Sequence, residues 1–155
     1  MKMEYRLNDE KQNYPAIYHY SSLDVMEITC RLSCEYFVKN KRVYKAVSTA
    51  LEPNELHIIY VEEHKMVSYE DESTYGNIGF EIREIHSNNK APVIKREQVF
   101  SHADVVSYLH SDFIYIPNDI KTETYKEMQL DSLEIDEDRN CYVFYGIFTG
   151  VDIYY

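Results

Sequence analysis

Tryptophan is absent from this 155-residue chain, and the residues that staple or punctuate small proteins are scarce: three cysteines, four glycines and four prolines. An odd number of cysteines without dense spacing suits a reducing compartment better than a disulfide scaffold. The one close glycine pair is Gly76 and Gly79. A strand pattern follows it, without the helix, Lys and Ser/Thr of a Walker loop, so it reads as a turn or bulge. No Gly-x-Ser-x-Gly, His-Glu-x-x-His or Cys-x-x-Cys motif occurs. Cations are also in deficit, 16 Lys and Arg against 27 Asp and Glu, for a formal net charge of -11. Phosphate binding needs Lys and Arg, so this balance argues against duplex nucleic acid and anionic membrane surfaces as partners. No stretch approaches ~18 apolar residues, the length that suggests a membrane-spanning helix. Residues Met1 to Arg6 lack the apolar segment of a secretory signal. These absences together point to a cytoplasmic protein.

What the chain has in abundance is tyrosine, 16 residues of it. A chain of this length is most economically one domain, 1–155, with residues 1–16 a frayed lead-in or an edge strand. It is long enough to bury roughly 70% of its unfolded surface without a metal or disulfide.

The stretch MEITCRLSCEYFV, residues 26–38, decides between two periodicities. As a helix it places Leu23, Met26, Cys30, Cys34 and Phe37 on one side and Val25, Ile28, Leu32 and Tyr36 on the other, two opposed apolar stripes. As a strand it alternates apolar Met26, Ile28, Cys30, Leu32, Cys34, Tyr36 and Val38 with polar Glu27, Thr29, Arg31, Ser33 and Glu35. The alternation favours a strand. Along a strand the two cysteines lie ~13 Å apart, too far for a disulfide or a shared zinc ion, which leaves them as small buried hydrophobes.

Turn chemistry at 39–41 and 52–55 then divides the strands Arg42 to Leu51 and Leu56 to Val61. Further extended segments are expected at 66–69, 78–83 and 93–100, with a tail hairpin of 125–135 and 141–148 around the loop 136–140. Gly146 and Gly150 suggest a bulge or bend. Ser101 with Asp104 opens one short helix near 102–111. The fold expected is mainly β (β-rich α+β): an antiparallel meander of about seven to nine strands forming a curled sheet, barrel or two-layer sandwich.

For chemistry, His57 and His64 beside Glu62 and Glu63 match no dedicated metal spacing and read as solvated or packed side chains. His102 and His110 lie ~80° apart around a helix, so acid–base work there needs partners from elsewhere. No cysteine has a local activating base. No catalytic residue, metal ligand or cofactor is assigned.

Acidic clusters near expected turns, with tyrosines close by, suggest a surface for gripping a basic protein. The expected binding residues are Glu70, Asp71, Glu72, Tyr75, Asp136, Glu137, Asp138 and Tyr142. The function expected is a non-enzymatic acidic binding protein (inhibitor, immunity protein or regulatory adaptor) with a basic protein partner. The alternative is a small-ligand-binding β-barrel or a metal-assisted hydrolase using His and carboxylates. Self-association into a homodimer would run through exposed strand edges.

Overall fold

The computed structural model describes residues 1–66, 73–88 and 90–155. The chain is mainly β, and among the described residues ten strands form one open, mixed sheet. These are β1 (Lys2–Leu7), β2 (Ala16–Tyr20), β3 (Tyr36–Lys39), β4 (Arg42–Glu52), β5 (Leu56–Met66), β6 (Ile78–Glu84), β7 (Val93–Val99), β8 (Phe113–Asp119), β9 (Thr124–Asp136) and β10 (Cys141–Tyr154). The order is β2-β1-β5-β4-β3-β9-β10-β6-β7, with β8 added to β9. Two helices accompany the sheet, α1 (Val25–Ser33) and α2 (Ala103–Leu109).

The meander expected from sequence is present in part. β3, β4 and β5 pair antiparallel in succession, as do β6 with β7 and β9 with β10. Three parallel pairings, β1 with β5, β3 with β9 and β6 with β10, make the sheet mixed. The extended segment expected at 66–69 lies outside the described residues beyond Met66, which ends β5. The turn Asn40-Lys41 takes positive φ at both residues, 52° and 61°, as tight hairpins demand.

The strand expected at 26–38 is corrected: residues 25–33 are helical, and only Tyr36–Lys39 is extended. Asp24 caps the helix, its carboxylate accepting from Glu27 N at 2.8 Å. Cys30, Arg31 and Cys34 are buried, and of the second stripe Ile28 is buried while Val25 and Leu32 are exposed. The two opposed stripes therefore do not both need cover, because lone apolar residues are tolerated at a surface. Arg31, counted as an outward polar residue in the alternation, is 5% exposed and faces the protein. The spacing Asp24-x-x-Glu27 is a helix-start signal that outweighs the alternation. Cys30 and Cys34 thus lie one helical turn apart, yet they remain free thiols. Burial pushes both thiols above their ordinary range. The helix expected near 102–111 is α2.

The main core lies between one face of the sheet and the two helices. It gathers Met3 and Tyr5 of β1, Phe37, Tyr44, Ile59 and Val61, Phe80 and Ile82 of β6, and Tyr142 and Phe144 of β10 around Ile28, Val105 and Leu109. Tyr5 stacks on Phe37 with ring centroids 3.9 Å apart. Each such side chain, fully buried, contributes roughly 1.5–3 kcal/mol. β10 bends where expected. Its register shifts at Tyr145/Gly146, where a Cβ would meet the Met128 side chain at 2.7 Å, and again before Asp152, where Gly150 has φ 87°.

Candidate interaction surface

The sheet's opposite face carries buried charge. Glu81 on β6 alternates with the core residues Phe80 and Ile82, so it points away from the main core, yet it is 0% exposed. Arg83 Nη2 lies 2.9 Å from its Oε1, Arg139 Nη2 2.8 Å from its Oε2, and Arg96 Nε 3.8 Å from Oε2. Tyr75 donates its hydroxyl to the same carboxylate. Its ring lies over Gly79, where a Cβ would come within 2.4 Å, so only glycine admits this approach.

The turn between β9 and β10 organises this cluster. Asp136, 1% exposed, accepts from Arg139 Nε at 3.1 Å and from Arg139 N at 3.2 Å. Burial is the largest influence on this carboxyl and leaves it above its ordinary range, despite Arg139 beside it. Glu137 accepts from Lys39 Nζ at 2.6 Å, the Tyr20 hydroxyl at 2.5 Å and Arg31 Nη1 at 3.2 Å. Burial pushes Glu137 up, but the bonds from Lys39 and Tyr20 and the Arg31 charge outweigh it, so its carboxyl sits below the ordinary range. Asp138 accepts the backbone N–H groups of Asn40 and Lys41 at 2.8 Å each, fixing the β3–β4 turn. Asn140 donates to the carbonyls of Tyr75 and Asn77.

The structure therefore brings Asp136, Glu137 and Asp138 together in one turn and connects Tyr75 to it through Glu81 and Arg139. Their carboxylates are engaged by cations and N–H groups of the same chain. Tyr142 lies on the other face, 2% exposed, its hydroxyl 2.9 Å from His102 Nδ1. Glu70, Asp71 and Glu72 lie outside the described residues.

The histidines do find partners. His102 Nε2 is 3.6 Å from Glu27 Oε2, and His110 Nε2 is 3.3 Å from Ser33 Oγ. Ser33 donates its one proton to the Thr29 carbonyl at 2.8 Å, so in this arrangement His110 is not positioned to activate it as a nucleophile. Among the described residues no group of three or more His, Cys, Asp or Glu could hold a metal ion. Among them, too, no helix is long and apolar enough to cross a membrane.

Among the described residues, a further exposed surface with aromatic character lies elsewhere, on the arm formed by β8, the first half of β9 and the end of β10. The inward rank of the arm, Ile114, Met128 and Phe148, packs on the core. Side chains paired directly across strands share a face. The outward ranks therefore read Phe113, Gln129, Ile147 and, further along, Pro117, Tyr125, Ile153. Phe113, Tyr115 and Ile147 are 46%, 45% and 51% exposed. Tyr155 stands edge-on to Tyr125 with centroids 5.6 Å apart. Within this face Glu127 accepts from the Tyr115 hydroxyl at 3.1 Å and from Thr149 Oγ1 at 2.9 Å. The arm also bears Asp112, Asp119, Glu123, Asp131 and Asp152, against Lys121 and Lys126. The available signal in the sequence is that Phe113 to Ile116 is apolar at both parities, in a strand with only one buried face.

Compared with known proteins, the chain matches no family model, no curated protein and no solved structure.

Proposed function

We propose that this chain is a non-enzymatic binding protein that engages a basic protein partner, and that the outward face of the β8–β9–β10 arm is the gripping surface. The observation that carries the reading is the rank of exposed aromatic and aliphatic side chains at Phe113, Tyr115, Ile147 and Tyr155. They stand on a stretch where six carboxylates outnumber two lysines. Apolar area of this kind stays in water at a cost that a partner removes. The surrounding carboxylates select a cationic partner and speed its approach, since the net charge of -11 extends the attraction beyond contact range. Tyrosine suits the task because its ring buries area while its hydroxyl keeps a polar contact at the rim. The mechanism is occlusion, with the ring anchors at the centre and the charges guiding the encounter.

The test is affinity capture from native lysate at low and high salt, with wild type and a Phe113→Ser/Ile147→Ser variant side by side, followed by binding measurements on the purified partner. A basic protein bound by wild type, weakened about 30-fold or more in the variant and associating more slowly as salt rises, is the expected result. Equal binding by the variant, or an acidic partner with no salt dependence, overturns the reading.

A further inference from the structure

A cleft of about 360 Å³ opens beside β8, between α2 and strands β6 and β7, and Tyr115 of the arm stands at its border. We propose that it binds a small single-chain amphipathic carboxylate, with Lys95 taking the headgroup and the isoleucine-lined floor taking the chain.

The volume falls in the ~300–1,000 Å³ range of small-molecule sites. Ile82 and Ile114 back the cleft while almost fully buried, and half-buried Ile116 and Tyr108, with Tyr115, supply its accessible apolar surface. Lys95 is the cation of that lining. It is paired in register with Ile82, which is 1% exposed in the core, so its side chain leaves β7 on the core-facing side of the sheet. Glu97, paired with Phe80, leaves β7 on the same side, and the Lys95 side chain is 37% exposed at the sheet's edge, within reach of an arriving ligand. Its ion pair with Glu97 Oε2 at 3.7 Å is longer than a hydrogen bond, which leaves ammonium donors for an arriving carboxylate. Ser107 on α2 and Ser111, just beyond its C-terminal end, add a hydroxyl rim, with Ser111 Oγ donating to the Ser107 carbonyl at 2.7 Å. A cationic headgroup would face Lys95, and a neutral chain would gain nothing from it. The competing account of Lys95 is that inward charge on the edge strand β7 discourages strand pairing between molecules. That account requires no ligand.

Calorimetric titration of the intact protein with hexanoate, octanoate and decanoate, each below its micellar concentration, decides the matter, with octylamine and 1-octanol as headgroup controls. Saturable one-to-one binding should tighten about fourfold per methylene, with octanoate well ahead of octylamine and octanol. Lys95→Gln should weaken octanoate about ten- to a hundredfold. Ser107→Phe, which fills the mouth from an exposed helical position, should abolish binding. Circular dichroism verifies the fold of each variant, and the wild-type headgroup series stands without them. No saturable binding, octylamine equal to octanoate, or a Lys95→Gln variant that binds like wild type overturns the proposal.

Discussion

Arg139→Met removes the guanidinium that joins two buried carboxylates, and the structure indicates where the loss falls. Arg139 Nη1 bonds Glu81 Oε2 at 3.1 Å, Nη2 lies 2.8 Å from the same oxygen, and Nε bonds Asp136 at 3.1 Å. The side-chain exposures are 5%, 0% and 1% for Arg139, Glu81 and Asp136. After substitution Glu81 keeps Arg83, Arg96 and the Tyr75 hydroxyl. Asp136 loses the ion pair that sits beside it and keeps the N–H of residue 139. The expected destabilisation is about 3–5 kcal/mol, the cost of stranding a buried charge. With a urea dependence of ~2 kcal/mol per molar, the midpoint falls by roughly 2 M. The chain has no tryptophan, so tyrosine emission and far-UV circular dichroism follow the transition. Asp136→Asn combined with Arg139→Met should lose less than the sum of the two single changes, by about 0.5–3 kcal/mol, because a neutral side chain at 136 no longer needs the cation. A single-variant loss under about 1 kcal/mol, or additive singles, would refute the view that this turn is held by coupled buried charge.

Two further outcomes follow from the same geometry. Glu137 has a folded pKa below its ordinary value of 4.5. Its contribution to stability is therefore complete above the glutamate range and fades as pH falls through the lower folded value; the stability gap between wild type and Glu137→Gln should be flat from neutral pH to about 5 and shrink below 4.5, and a gap constant to pH 2 would contradict this. All three cysteines are buried, and burial pushes their thiols upward. A thiol reagent at pH 8 should label none of them in the folded protein within minutes and all three in denaturant; rapid labelling of the native state would show that α1 or β10 opens readily.

Much of the strand layout is legible because local chemistry marks it. The turn at Asn40-Lys41 and the Pro53-Asn54 turn bracket β4, and the tail hairpin follows from its apolar runs and its charged loop. Neighbour order is different. Nothing in the period of β3 or β6 says that each runs parallel beside the C-terminal hairpin, since the partners lie tens of residues away. The helix α1 was obscured by Arg31, a polar letter whose side chain turns inward because Glu27 and Glu137 meet it there. The charged run 136–140 reads locally as wet. The burial of Asp136 and Arg139 within it depends on Glu81, 58 positions from Arg139 in sequence, and the half-buried Glu137 is met by Lys39 across the sheet. Tyr75 was legible as polar and aromatic, but its seat over Gly79 needed the fold.

The parallel pairings also govern the order in which the molecule is completed. β9 and β10 occupy the middle of the sheet, yet they follow β3 and β6 in the chain. During synthesis at ~5–20 residues per second, the β3 edge that will receive Asp136 opposite Val38 waits on the order of 5–20 s for its neighbour, with a hydrophobic face half assembled. Sheets closed by distant parallel partners form slowly, and in that interval the half-made sheet is exposed to pairing with the wrong strand. The Asp138 clasp on Asn40 and Lys41 then acts as a register key: it fits only when β9 has arrived beside β3 in the correct alignment.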